Sequence, residues 1–130
     1  MKHIQYKSIP HNEQRYETVG DFFTDENGVE QFRVSELPEQ VYEHLVLIHE
    51  LVERILCHHW QITNESIDRF DMEFEKRREE GNEDEPGDNP MAPYFHAHQI
   101  ATVVERLIAA ELGIGWKTYN DAVCKLTKDT

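Results

Sequence analysis

Cysteine is scarce in this chain. There are two, Cys57 and Cys124, in 130 residues. They form no CxxC pair and are too few for a disulfide framework, which leaves a small thiol such as Cys57 as half-buried packing on a helix. Positive charge is scarce as well. Thirteen Lys and Arg stand against 26 Asp and Glu, a formal net charge of −13. That balance excludes binding to nucleic acid through phosphate contacts, which needs clustered cations. Long apolar runs are missing too: nothing approaches the roughly 18 residues of a membrane span. The start, MKHIQYKSIP, is too polar for a signal peptide, so a soluble, cytoplasmic protein is the expectation.

A hydrophobic content of 38% with 30% charged residues is ordinary for a globular chain. The length suits a single domain over residues 1–130. The acidic excess fits a divalent cation, a basic protein surface as partner, or a plain solvated surface.

The longest periodic stretch is Pro38 to Trp60. Val41, Leu45, Ile48, Val52, Ile55, Leu56 and His59 recur at helical spacing, with Leu47 and Leu51 widening the stripe. Ser35 is the expected N-cap, with Pro38 in the first turn. His49 and Glu53 then fall one turn apart at the edge of the apolar face, with Glu50 further out. His44 and His59 read as core histidines, and His58 and His96 as surface ones.

Residues 1–36 read as β structure. Arg15–Phe23 and Val29–Val34 are rich in β-branched and aromatic residues around an Asn27-Gly28 turn signal, which predicts a hairpin. Ile4–Ile9 adds a short extended piece. A lone hairpin is marginal in water, so it is expected to pack on the helices or on a second copy in a homodimer.

Three further helices are expected. The second runs from Glu65 to Glu80, capped by Thr63 or Asn64 and ended by Gly81, with Ile67, Phe70 and Phe74 inward. Asp71 shares that apolar face and Asp68 lies at its rim. Asn82–Pro93 is an acidic, proline-rich loop. The third helix spans Tyr94 to Leu112, with Ile100, Val103, Val104, Leu107 and Ile108 as its core face and His98 and Glu105 on the flank. Ala101 and Ala109 lie near that flank. Gly113 ends this helix, and Lys117–Leu126 forms the last one. The expected fold is mainly α: a four-helix, bundle-like domain over 37–130 with an N-terminal β-hairpin. A faint internal echo, LVERIL against VVERLI, sets Glu53 and Glu105 at matching positions.

The acids fall into two pairs, Glu50/Glu53 and Asp68/Asp71, each three residues apart and so on neighbouring faces of one turn. Brought together inside a bundle, such carboxylates repel unless protons, bases or a metal intervene. Oxygen ligands suit Mg²⁺ or Mn²⁺, which could bridge substrate phosphates and acidify a water. A buried pair with Arg54 or Arg106 is the structural alternative for Asp71.

The order ExxE, 14 residues, then an acidic-xx-Asp pair resembles the MazG-like all-α nucleotide pyrophosphohydrolases over about residues 49–71. Asp68 stands where that family has Glu. The resemblance implies Mg²⁺ held by Glu50, Glu53, Asp68 and Asp71 and hydrolysis of a nucleoside triphosphate to the monophosphate and pyrophosphate. Glu53, Asp71 and His98 are then the candidate catalytic residues, with His98 or Glu105 as base or further ligand. A second pattern mixes imidazole and carboxylate: His49, Glu53, Asp71, His98 and Glu105 rim the apolar faces, and helical bundles build metal sites from such sets. A third reading is a non-enzymatic acidic protein that meets a basic partner through Asn82–Asp88.

Overall fold

The structure, a computed structural model, describes residues 3–79, 82 and 84–128. Among these, three strands, β1 (Ile4–Ile9), β2 (Gly20–Thr24) and β3 (Glu30–Ser35), precede four helices. The helices are α1 (Gln40–His59), α2 (Asn64–Lys76), α3 (Phe95–Glu111) and α4 (Trp116–Lys128). The chain is mainly α with a small sheet.

The hairpin forms where the turn chemistry requires it. Asp25 Oδ1 accepts from the Asn27 and Val29 amides, each at 2.9 Å, and Gly28 takes φ +80°, which a side chain would disfavour. β2 and β3 pair antiparallel with Phe22 opposite Phe32, and β1 joins β3 in parallel on its other side. The first hairpin strand begins at Gly20, not Arg15. Residues 14–19 bend instead, pinned by the Gln14 side chain, whose amide donates to the Val19 carbonyl at 3.1 Å. Phe22, Phe32 and Val34 enter the core beneath the sheet, and β2 and β3 lie on α1.

α1 starts later than expected. Glu39 precedes its first turn, and Ser35 is not the cap: it ends β3 fully buried, its hydroxyl 2.8 Å from His11 Nδ1. The buried line of α1 is Tyr42, Leu45, Val46, His49, Glu53 and Cys57. The expected stripe is therefore rotated: Ile55 is 57% exposed, and His44 and His59, expected in the core, are both exposed. α3 shows the same inversion. Its buried line is Ala97, His98, Ala101, Glu105 and Ala109, whereas Val103 and Leu107 are 63% and 68% exposed.

The physical reason is common to both helices. α1 packs directly on α3, and the three alanines let the two backbones approach closely. The polar groups between them are satisfied by one another, so burying them costs less than hydropathy alone suggests.

α2 is capped by Thr63, whose hydroxyl accepts from the Ser66 amide at 3.2 Å. It buries Ile67 and Asp71 as expected and ends at Lys76. That falls short of the expected end at Glu80: residues 77–79 lie outside the helix, and Glu80 and Gly81 themselves lie outside the described residues. A 3-10 turn over Pro86–Asp88 packs between α2 and α3. No helix among the described residues is long and apolar enough to cross a membrane.

Candidate functional site: a His/carboxylate centre between the long helices

Two turns of α1 and two of α3 each bring a polar side chain to the same region. His49 and Glu53, four residues apart, stack on one face of α1. His98 and Glu105 face them from α3.

His49 Nε2 lies 2.7 Å from Glu53 Oε2, His98 Nδ1 lies 2.9 Å from the same oxygen, and the two nitrogens are 3.1 Å apart. These three atoms form a triangle. Behind it, His49 Nδ1 donates to Glu105 Oε1 at 2.7 Å, and Tyr119 Oη of α4 donates to Glu105 Oε2. Glu53 and Glu105, the pair set in register by the internal echo, therefore hold opposite nitrogens of a single imidazole. His49, Glu53, His98 and Glu105 are each 8% exposed or less.

Burial alone would lower the basicity of His49, but the Glu105 and Glu53 carboxylates more than reverse it. Burial likewise opposes charge on His98, yet Asp88, Glu53 and Glu85 push it up to about 12. Glu53 is drawn down to about 2 against its own desolvation by the two imidazoles that bond to it.

The triangle opens on a cavity of about 600 Å³. Glu50 and Asp71 line it too. Glu50 makes no hydrogen bond among the described residues, and burial and the nearby Glu53 charge raise its carboxyl well above the ordinary range. Gly20 leaves room for it: a Cβ there would stand 2.5 Å from Glu50 Oε1. Asp71 accepts from Tyr94 Oη at 2.5 Å and from Tyr16 Oη at 3.0 Å, and burial raises it to about 7 despite those bonds.

Not every expected residue joins. Asp68 is turned to Arg15, whose Nη1 and Nη2 lie 3.1 and 3.2 Å from its oxygens while the same guanidinium also holds Asp21. The four-carboxylate set Glu50, Glu53, Asp68 and Asp71 is thus not assembled at one point. The arginine alternative for Asp71 does not form either: Arg54 pairs with Glu30, and Arg106 lies over the Trp116 ring.

Comparison with family models, with curated proteins and with solved structures finds no match to this chain.

The donor set of the triangle is two imidazoles and one carboxylate, a group able to hold a metal ion. In the protonated state two N–H groups 3.1 Å apart aim at one oxygen and repel each other. A cation at the centre replaces both protons and turns every atom of the triangle into a donor to it. For donors at right angles around a shared ion, edges of 2.7–3.1 Å correspond to bonds of about 1.9–2.2 Å, which bracket the usual nitrogen and oxygen distances on zinc. Glu105, bonded to the far nitrogen of His49, would then fix the tautomer of that ring for such an ion.

Sequence reasoning missed several participants. Tyr119, Tyr94 and Tyr16 hold the carboxylates, and Glu85 and Asp88 reach His98 from the acidic loop. Tyr94 precedes His98 by one helical turn, which is the only local signal among them; the rest are tertiary contacts that spacing does not encode.

Proposed function

We propose that this chain is a divalent-metal-dependent hydrolase whose metal is held by His49, Glu53 and His98. The observation that supports it is the triangle of donor atoms, no edge longer than 3.1 Å, buried between two helices yet open to a cavity. In this reading the helices act as one bundle around the centre: α1 and α3 supply the ligands, α2 supplies Asp71 and α4 supplies Tyr119.

The donor chemistry moves the metal away from Mg²⁺. Two imidazoles favour zinc, iron or manganese over an ion that prefers oxygen alone. A bound cation there supplies a Lewis acid and an acidified water, and three protein ligands leave positions open for both water and substrate. In this reading Glu50, on the cavity wall and without a hydrogen-bond partner among the described residues, takes the proton of that water. Asp71, held by two phenols, serves as a fixed carboxyl on the α2 side.

A nucleoside triphosphate remains the substrate implied by the MazG-like resemblance, and Glu50, Glu53 and Asp71 do line one cavity. The wall is strongly acidic, however. Its arginines are Arg78, which pairs with Glu75, and Arg106, which lies over Trp116. A polyphosphate would enter only with its charge covered by metal ions.

The test is metal-dependent turnover. Stripped protein reloaded with Zn²⁺, Mn²⁺, Fe²⁺ or Mg²⁺ is assayed on phosphoanhydrides, phosphate esters and amides. Turnover that Glu50→Gln abolishes without loss of bound metal supports the reading, and pyrophosphate release singles out the nucleotide version. No turnover with any metal on any class contradicts it.

A further inference from the structure

The proposed centre uses one nitrogen of His98. The other, Nε2, has no hydrogen-bond partner although the side chain is only 6% exposed. It points at two carboxylates, Glu85 Oε2 at 3.1 Å and Asp88 Oδ1 at 3.2 Å, neither at a hydrogen-bonding angle. Within ion-pair distance of both oxygens yet hydrogen-bonded to neither, that buried nitrogen lacks the partner such a group normally has, and an ion lying between it and the two carboxylates would supply one.

The loop is shaped to bring the two acids there. Its 3-10 turn sets Gly87 flat against the imidazole, where a Cβ would lie 2.4 Å from His98 Cγ and Nδ1. Glu85 and Asp88 flank that contact and reach around to the far edge of the ring. Asp88 is steadied by Gln99, whose Nε2 donates to Asp88 Oδ1 at 3.2 Å. One nitrogen and two carboxylate oxygens lie close enough together to ligate a single ion.

We propose that His98 Nε2, Glu85 and Asp88 form a second divalent-cation site, and that the His98 ring bridges it to the His49–Glu53 centre. This rests on the metal centre proposed above. The protonated ring carries two N–H; the inner ion displaces the Nδ1 proton and the outer ion the Nε2 proton, both released to solvent, and the resulting imidazolate gives one lone pair to each ion. No electron is transferred. Glu85 and Asp88 are about half exposed, so water completes this outer site, and it is the weaker and later of the two to fill.

The test uses the full chain, stripped of metal and titrated with Zn²⁺ under equilibrium dialysis. Two ions per chain are expected in the parent and one in Glu85→Gln/Asp88→Asn, whose changes sit at exposed positions, with an unchanged circular dichroism spectrum. With Cu²⁺ as probe, the second equivalent should quench the electron paramagnetic resonance signal of the first through the shared ring. One ion in both proteins, or two in both, overturns the outer site while leaving the inner one standing. Additive Cu²⁺ signals overturn the bridge. No Zn²⁺ bound to the parent overturns both proposals.

Discussion

His98 Nδ1 lies 3.1 Å from His49 Nε2, nitrogen to nitrogen, in the interior between α1 and α3. Both face Glu53 Oε2. Such a contact is unfavourable for two protonated rings and favourable for two rings that share an ion. Metal binding should therefore displace protons from the centre. Addition of Zn²⁺ to the stripped protein in weak buffer should release measurable acid, and Glu53→Gln should suppress that release together with binding.

Glu105 and Tyr119 orient His49 from its Nδ1 side and give no atom to the triangle. Glu105→Gln and Tyr119→Phe should each lower Zn²⁺ affinity about 10–100-fold, the usual cost of losing such a partner. The metal-to-chain ratio at saturation should not change. A fall in stoichiometry in place of affinity would make Glu105 a ligand.

Asp71 gives a pH signature. Its folded value of about 7 is raised, chiefly by burial, above the ordinary carboxylate range. The folded state thus holds this proton more tightly than the unfolded chain does. The corresponding stability is present below about pH 4 and is lost as pH rises through 7, on the order of a few kcal/mol. Asp71→Asn keeps an acceptor for Tyr94 and Tyr16 but carries no charge. Its melting temperature relative to the parent should climb between pH 4 and pH 8; a constant difference would contradict the assignment.

The sequence laid out the elements better than their faces. The Asn27-Gly28 turn, the Thr63 cap, Gly113 at the end of α3 and the presence of four helices, though not their bounds, follow from local rules that propensity carries. Which side of α1 and α3 is buried does not. Hydropathy favours Ile55, Val103 and Leu107, yet the protein leaves them exposed and buries His49, Glu53, His98 and Glu105. That choice comes from mutual pairing across two helices, which no single helix pattern contains. His49, Glu53, Asp71, His98 and Glu105 stand out in the sequence as polar residues beside apolar faces, but their convergence depends on Ala97, Ala101 and Ala109. Asp68, expected beside Asp71 at the rim of that face, pairs instead with Arg15, 53 residues away in the chain.

This inversion can be checked by stability alone. Leu45, fully buried, should cost about 2–5 kcal/mol on truncation to Ala. Ile55→Ser and Val103→Ser should stay within about 0.5 kcal/mol of the parent in urea unfolding of the monomer. Large losses at Ile55 or Val103 would restore the hydropathy stripe as the core.

If His49, Glu53 and His98 together bind a cation, thermal unfolding of stripped protein with and without Zn²⁺ must report it. At a hundredfold excess over the dissociation constant the parent midpoint should rise by about 8 °C or more, and Glu53→Gln should show no rise. A parent midpoint unmoved by Zn²⁺, Fe²⁺, Mn²⁺ and Mg²⁺ alike, or an equal rise in Glu53→Gln, would contradict it.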